Sequence, residues 1–157
     1  MQQRIAHIVT EILFYQLERQ PLHQVLPGLL EKTLERGWRA VVQAGSDERL
    51  EALDALLWTY SDDSFLPHGT ARDGFADQQP VFLTSSETNP NGAAVRFFVD
   101  GADGGELNAY VRIVYVFDGR DEEARLQARE QWKRAKAEGH AVTFWQQNER
   151  GRWEKKA

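Results

Sequence analysis

The sequence predicts a single α/β domain with a largely parallel sheet flanked by helices. Short apolar runs alternate along the chain with amphipathic segments of helical period, the arrangement typical of parallel strands joined by crossover helices. The length of 157 residues fits one domain. With 41% hydrophobic and 11% aromatic residues, the chain also has enough apolar surface to bury a core.

The first half of the chain begins this alternation. Residues 10–17 are an apolar run suited to a buried strand, and residues 21–37 carry leucines at helical spacing. Residues 38–44 predict a second strand. A second helix follows, because Ser46 is placed to cap it and two acidic residues stand in its first turn.

The second half continues the pattern after a loop predicted over residues 59–79. Residues 80–84 and 93–100 predict strands on either side of a turn-rich connection, and residues 110–119 predict the strongest strand of the chain. A long helix is predicted over residues 121–139 and a last strand over residues 140–147. A polar tail then ends the chain.

Composition narrows the class of protein. The chain has no cysteine, which excludes disulfides, thiolate zinc sites and cysteine nucleophiles. No apolar run reaches the ~20 residues of a membrane span, and the N-terminus has no secretory apolar region, so we expect a cytoplasmic protein that does not bind membranes. We also expect residues 1–9 to be a dispensable extension and residues 10–157 to form the domain.

Sequence motifs for catalysis are missing. There is no phosphate-binding glycine loop and no nucleophile elbow, and the four histidines lack metal-ligand spacing, so we expect no enzyme, no catalytic residue, no cofactor and no metal. Gly45 and Ser46, between a strand and a helix start, could bind an anion. An ordinary turn and cap is the favoured interpretation, because Asp47 and Glu48 would repel a phosphate. A nucleotide-binding enzyme with an α/β fold remains the alternative.

The charge of −5 is unevenly distributed. Residues 124–157 hold nine Lys and Arg against four Asp and Glu, whereas the rest of the chain holds ten against twenty. A basic quarter on an acidic body favours an acidic partner at one surface. Direct binding to DNA is the less favoured hypothesis, because most of the molecule would repel phosphate.

The long helix carries the clearest chemical signal. Four cations fall within an arc of ~80° when each residue turns ~100°: Arg125, Arg129, Lys133 and Lys136. Trp132 lies between this row and a seam of alanines. Such a stripe could bind a carboxylate with its cations while an apolar side chain packs on the indole. The alternative is a solvated face on which Trp132 merely covers the sheet edge.

A second cluster of apolar side chains follows the second helix. It comprises Trp58, Tyr60, Phe65, Leu66 and Pro67, and His68 directly follows them. Exposed aromatic clusters beside rigid elements are typical of partner-binding hot spots. The alternative is that Phe65 and Leu66 fold under the preceding helix.

These segments resemble the chi subunit family of bacterial DNA polymerase III holoenzyme. The similarity runs from about Thr10 to the C-terminus and rests on four stretches: FYQLE, EALDALLWTYSDDSFLPHG, QAREQWKRAKAEGHAV and GRWEKK. The resemblance implies a non-catalytic adaptor with a Rossmann-like fold and no functional nucleotide site. It also implies a role in DNA replication and repair as an accessory protein of the clamp loader. Through the psi subunit, such a protein links the clamp-loader assembly to the single-stranded-DNA-binding protein.

The resemblance further implies which residues bind these partners. The single-stranded-DNA-binding protein would dock its acidic C-terminal tail, which ends in proline and phenylalanine, on Arg129, Trp132, Lys133, Lys136, Val142 and Thr143. A second surface, for psi or for an accessory iron–sulfur helicase, would comprise Trp58, Phe65, Leu66 and Pro67.

Overall fold

A mostly parallel sheet with helices on both faces makes up the protein, and the computed structural model describes residues 9–59 and 66–157. The strands are β1 Glu11–Leu17, β2 Ala40–Gln43, β3 Gly69–Thr70, β4 Val81–Thr84, β5 Val95–Phe98, β6 Arg112–Asp118, β7 Ala141–Gln147 and β8 Trp153–Lys155. The α-helices are α1 Leu22–Glu35, α2 Asp47–Trp58 and α3 Glu122–Ala137, and short 3₁₀ turns cover Ala71–Asp73, Ala76–Gln78 and Leu107–Ala109. The predicted α/β class is confirmed.

The order of the strands across the sheet is β3-β4-β2-β5-β6-β1-β7-β8, and of the strand pairs described here only β7 and β8 are antiparallel. The chain leaves β1 through α1 toward β2 and leaves β6 through α3 toward β7. Leu26 of α1 and Leu57 of α2 belong to the buried cluster on one face of the sheet. Phe14 and Ala128 belong to the cluster on the other face, under α3. The two crossovers therefore run in opposite directions on opposite faces.

The central strands are buried along their whole length. Every residue of β2, β4 and β5 is buried, which is typical of parallel strands covered on both faces. Their continuous apolar runs explain why the sequence predicted them as strands without an alternating pattern.

One residue of these central strands is charged. Arg96 in β5 is 2% exposed. Its guanidinium donates to Gln43 Oε1 at 3.1 Å, to the Ser86 and Thr88 carbonyl oxygens at 2.6 and 2.9 Å, and to the Tyr110 hydroxyl at 3.0 Å. These acceptors are all neutral. Arg96 thereby joins the connection after β4 to the middle of the sheet.

The structure adds two edge strands that the sequence did not predict. The described part of the predicted loop over residues 59–79 contains β3, which pairs with β4. The polar tail contains β8, which pairs with β7 through a turn in which Gly151 adopts a φ of 76° and donates to the Asn148 carbonyl at 2.9 Å. Residues 1–8 lie outside the described residues, so the proposed dispensable extension stays a prediction.

Candidate functional site

Helix α3 has local signals at both ends. The Asp121 carboxylate accepts a hydrogen bond from the Glu123 backbone N–H at 3.0 Å, and the acids of the first turn meet the positive end of the helix dipole. After the last turn, Gly139 adopts a φ of 86°, a conformation that glycine reaches without steric cost. The helix is therefore fixed at both ends by its own sequence.

Small side chains allow α3 to lie close to the sheet. Ala128 and Ala135 are buried, and Ala124 is half-buried. The predicted alanine seam is thus the face that packs on the sheet, and the row of cations is left on the outer side.

A carboxylate ties the second half of α3 to the loop before β6. Asp103 accepts hydrogen bonds from Arg134 at 2.7 Å, from the Gly104 N–H at 2.8 Å and from the Tyr115 hydroxyl at 2.9 Å. Desolvation acts to raise the pKa of Asp103, but the hydrogen bonds outweigh it and lower that pKa below its ordinary value. Burial, with the nearby Asp103 carboxylate, raises the pKa of the Tyr115 phenol. At neutral pH this network holds α3 in place with Asp103 ionised.

Trp132 on α3 is half-buried between two strands. The centroid of its ring lies 5.8 Å from that of Phe14 in β1 and 5.9 Å from that of Phe144 in β7. Val142 packs against the same cluster of buried side chains. Tilted and edge-to-face rings at these separations attract each other, so the indole is held in one position while part of its surface stays exposed.

Lys136 lies over the Trp132 ring, and two further predicted cations, Arg129 and Lys133, are exposed on the same helix. The Lys136 ammonium lies 5.5 Å from the centroid of the Trp132 ring. Arg129 is exposed and forms no ion pair with any residue that the structure describes. Lys133 lies 3.7 Å from Glu130, and both side chains are mostly exposed. Exposed pairs of this kind contribute only about 0–1 kcal/mol, so all three cations can accept a new anionic partner.

The structure corrects the predicted position of Thr143. Side chains alternate between the two faces of a strand, so Val142 and Phe144 face α3 whereas Thr143 faces away from it. The Thr143 hydroxyl accepts a hydrogen bond from the indole N–H of Trp145 at 3.0 Å, and Trp145 stacks on Tyr15 on that other face. The Thr143 side chain therefore does not lie beside Trp132.

Trp58 ends α2 on the face opposite to α3. Its side chain is 50% exposed, and its ring centroid lies 4.3 Å from that of His68. His68 is buried: its Nδ1–H donates to the Leu66 carbonyl at 2.7 Å, and its Nε2 lies 3.2 Å from Asp54 Oδ1. A fixed histidine thus supports one side of the exposed tryptophan.

The other residues predicted for this second surface do not share one environment. Leu66 is 2% exposed and belongs to the core under α1 and α2, so its predicted place on a docking surface is wrong, and it folds under the preceding helix instead. Pro67 is half-buried. Phe65 lies outside the described residues.

Residues of the chain itself occupy the N-terminus of α2, where an anion could otherwise bind. The Ser46 hydroxyl accepts a hydrogen bond from the Arg49 N–H at 3.2 Å, and Asp47 accepts one from Ser85. At Gly45, a Cβ would collide with the Asp100 carbonyl oxygen. The glycine therefore permits close approach of two loops, and the interpretation as a turn and cap accounts for this segment better than an anion site.

The described residues contain neither a metal-binding cluster nor a membrane-spanning helix. Within residues 9–59 and 66–157, His, Asp and Glu side chains form no group of three that could hold a metal ion. No helix in this part of the chain is long and apolar enough to cross a membrane.

Sequence reasoning gave no role to three residues that shape these surfaces. Phe14 and Phe144 hold Trp132, and His68 supports Trp58. A signal for Phe144 was present, because strand alternation places residues 142 and 144 on one face. Phe14 and His68 are adjacent to these tryptophans only through the tertiary fold.

Comparison with known proteins agrees with the sequence resemblance. Residues 9–143 match the family model of the DNA polymerase III chi subunit, HolC. A relative described as a probable DNA polymerase III subunit chi, from Rickettsia prowazekii (strain Madrid E), is 30% identical over 89 residues, which cover 57% of this chain and 54% of the relative. The chain thus spans about half the length of this relative. Because the family model matches most of the sequence, the chain belongs to the DNA polymerase III chi subunit family.

Proposed function

We propose that this chain is a non-catalytic accessory subunit of the DNA polymerase III holoenzyme that binds the acidic C-terminal tail of single-stranded-DNA-binding protein. Membership of the chi family supports the replication role. The observation that carries the binding proposal is the half-buried Trp132, which Phe14 and Phe144 hold in place and over which Lys136 lies. Arg129 and Lys133 are exposed on the same helix.

The cations of α3 account for recognition of acidic side chains. Arg129 offers a planar guanidinium that can bind a carboxylate through two parallel hydrogen bonds. Lys136 and Lys133 act as point charges on either side of it. The excess of positive charge in residues 124–157 over an otherwise acidic chain favours approach of the acidic tail to this part of the molecule.

The aromatic group accounts for recognition of the phenylalanine that ends the tail. Trp132 and Val142 share one cluster on the α3 face of the sheet, and a phenyl ring can pack on the indole there. Thr143 is left out of this part of the proposal, because its hydroxyl belongs to the opposite face of β7.

The second surface is proposed to bind the psi subunit or an accessory helicase through Trp58 and Pro67. Trp58 is half exposed at the end of a rigid helix, which is how aromatic hot spots are presented to a partner. Leu66 would support this surface from the core, and Phe65 remains part of the proposal as a prediction from the sequence.

We expect micromolar affinity for the tail, or about −8 kcal/mol. Each exposed charge pair adds only about 0–1 kcal/mol, so several cations and one apolar contact are needed to reach this value. The affinity should fall as salt is added, because the charges lie at the surface and the Debye length shrinks below about 10 Å.

Calorimetry with a synthetic tail peptide tests the proposal. The full peptide should bind, and removal of its terminal phenylalanine should weaken binding as much as neutralising its acids does. Trp132→Ala should abolish measurable binding, whereas Lys32→Ala, an exposed lysine on α1, should change nothing. If removal of the phenylalanine leaves the affinity unchanged, the tail is held by charge attraction alone and the proposed aromatic contact is wrong. Equal behaviour of the two variants would place the site elsewhere.

A further inference from the structure

A crevice at the carboxyl ends of β1 and β6 is separate from the surfaces described above. These two strands are neighbours, and the helices that follow them leave on opposite faces of the sheet and in opposite directions. In open α/β sheets, two helices that leave neighbouring strands in opposite directions leave a crevice at the carboxyl ends of those strands, and ligands bind there. Here the crevice encloses a cavity of 680 Å³, within the range of about 300–1,000 Å³ usual for small-molecule sites.

The side-chain amide of Gln131 lines this crevice. Gln131 on α3 is 6% exposed and faces the cavity, but its side chain forms no hydrogen bond with any described residue. The amide opens into the cavity, where it can hydrogen-bond to a bound group.

The charges around the crevice favour a cation. Its lining includes four acids and two arginines: Asp100, Asp118, Asp121, Glu123, Arg49 and Arg120. Arg120 is already paired with Asp118 at 3.2 Å, and Arg49 lies near Asp100. Glu123 and the helix-capping Asp121 have no cationic partner in the described chain. The crevice is therefore suited to repel phosphate and to attract positive charge.

Two further observations fit a planar cation. Desolvation raises the pKa of Asp100 in spite of the nearby Arg49 guanidinium, so a second cation beside this carboxylate would be stabilised. Phe117, half-buried at the end of β6, supplies an aromatic side chain to the lining. A guanidinium can stack on such a ring while its N–H groups donate to carboxylate and amide oxygens.

We propose that this crevice binds a guanidinium group, presented either by a small molecule or by an arginine side chain of a partner protein. Glu123 and Asp121 would accept hydrogen bonds from it at the mouth, and the Gln131 carbonyl would accept one inside. The proposal does not depend on tail binding at Trp132, which uses the outer side of α3.

Nuclear magnetic resonance of the ¹⁵N-labelled full chain tests the proposal through the side-chain amide signal of Gln131. Agmatine, a guanidinium compound without a carboxylate, should shift this signal saturably, and butylamine should bind more weakly. Gln131→Leu should abolish agmatine binding. In this variant the binding is measured through the signals of other residues that line the crevice. Glu123→Gln should weaken it about five- to tenfold, as expected for loss of a charge-assisted hydrogen bond.

The matched control is Glu130→Gln, which removes a charge from the same helix outside the crevice. A blocked tripeptide with a central arginine separates the two sources: tighter binding than agmatine indicates a partner's side chain, and weaker binding indicates a small molecule. Absence of a saturable shift with both probes would overturn the proposal. So would equal weakening by Glu123→Gln and Glu130→Gln, or a saturable shift with ATP in place of the guanidinium probes.

Discussion

Lys136 places its ammonium group 5.5 Å from the centroid of the Trp132 indole ring. Attraction between a cation and an aromatic face contributes about 0.5–1 kcal/mol at an exposed site. The two residues are one helical turn apart, so the backbone of α3 fixes their relation before any partner arrives. A site ordered in advance loses less conformational entropy when it binds.

Lys136→Met should weaken binding of the acidic tail by up to about fivefold, the effect of losing one exposed ion pair. Methionine keeps most of the apolar part of the side chain and removes the ammonium group that lies over the Trp132 ring. Calorimetry should show that the difference from the unmodified protein shrinks as salt is raised. Lys32→Met is the matched control, and an equal loss in that variant would mean that overall charge alone drives binding.

Val142→Ala and Thr143→Ala should separate the two faces of β7. Val142 shares a cluster with Trp132, so its truncation should weaken tail binding measured per folded molecule. Thr143→Ala removes the acceptor of the Trp145 indole N–H, at a cost of about 1 kcal/mol in stability, and should leave tail affinity unchanged. A larger loss of affinity for Thr143→Ala would contradict the pocket as placed on the α3 face.

Arg96→Met should lower the free energy of unfolding by more than about 3 kcal/mol, because several buried acceptors lose their donor at once. Those acceptors are Gln43 Oε1 and the Ser86 and Thr88 carbonyl oxygens. Urea unfolding measures the effect. Arg72→Met, which breaks an exposed ion pair with Glu51, should cost less than about 1 kcal/mol, and comparable losses in the two variants would argue against a structural role for the buried guanidinium.

Asp103 should make stability depend on pH in the acid range. Its hydrogen bonds lower its pKa in the folded state, so its contribution is complete above the unfolded pKa of about 3.9 and is lost as pH falls through the folded pKa. Asp103→Asn should therefore destabilise the protein by about 1–3 kcal/mol at neutral pH. The difference in melting temperature between the unmodified protein and Asp103→Asn should narrow as pH falls below about 4. Asp77→Asn, which changes an exposed acid, serves as the control. A difference in melting temperature that stays constant with pH would refute the role of Asp103 in the pH dependence.

Trp58→Ala should weaken binding of the psi subunit or helicase by about 2 kcal/mol or more if Trp58 is a hot spot, and should leave tail binding intact. Surface plasmon resonance with each purified partner measures this. Thermal melting of the variant must show that it is folded, since Trp58 also contacts His68. If partner binding per folded molecule is unchanged, Trp58 supports the loop and does not form the interface.

Much of the fold could be predicted from the sequence because its signals are local. The Ser46 cap, the acids at the start of α3 and the buried apolar runs each depend on a few neighbouring residues. The insertion of β1 between β6 and β7 could not be predicted, because strand order depends on which crossover lies on which face. The edge strand β8 was missed because the tail is polar and the turn that pairs it with β7, from Asn148 to Gly151, is a short local signal.

The candidate site was predicted in part for the same reason. Helical spacing placed Trp132 beside Lys136, which the structure bears out. Thr143 was assigned to the pocket through the family resemblance alone, but strand residues alternate between faces and its hydroxyl lies on the face opposite to Trp132. Burial of Arg96 could not be foreseen, since its acceptors include backbone carbonyls of a connection whose path is set only by the tertiary fold.

The positions of α2 and α3 determine whether two partners could be held at the same time. Trp58 ends the helix that packs over β4, and Trp132 lies on the helix that packs over β6 and β7 on the other face. Five inter-strand spacings separate β4 from β7, roughly 24 Å at ~4.8 Å each. Contacts at these two places would share no side chain, so their binding free energies should add, as expected for well-separated sites. A ternary complex would then assemble in either order, and loss of one partner would not release the other.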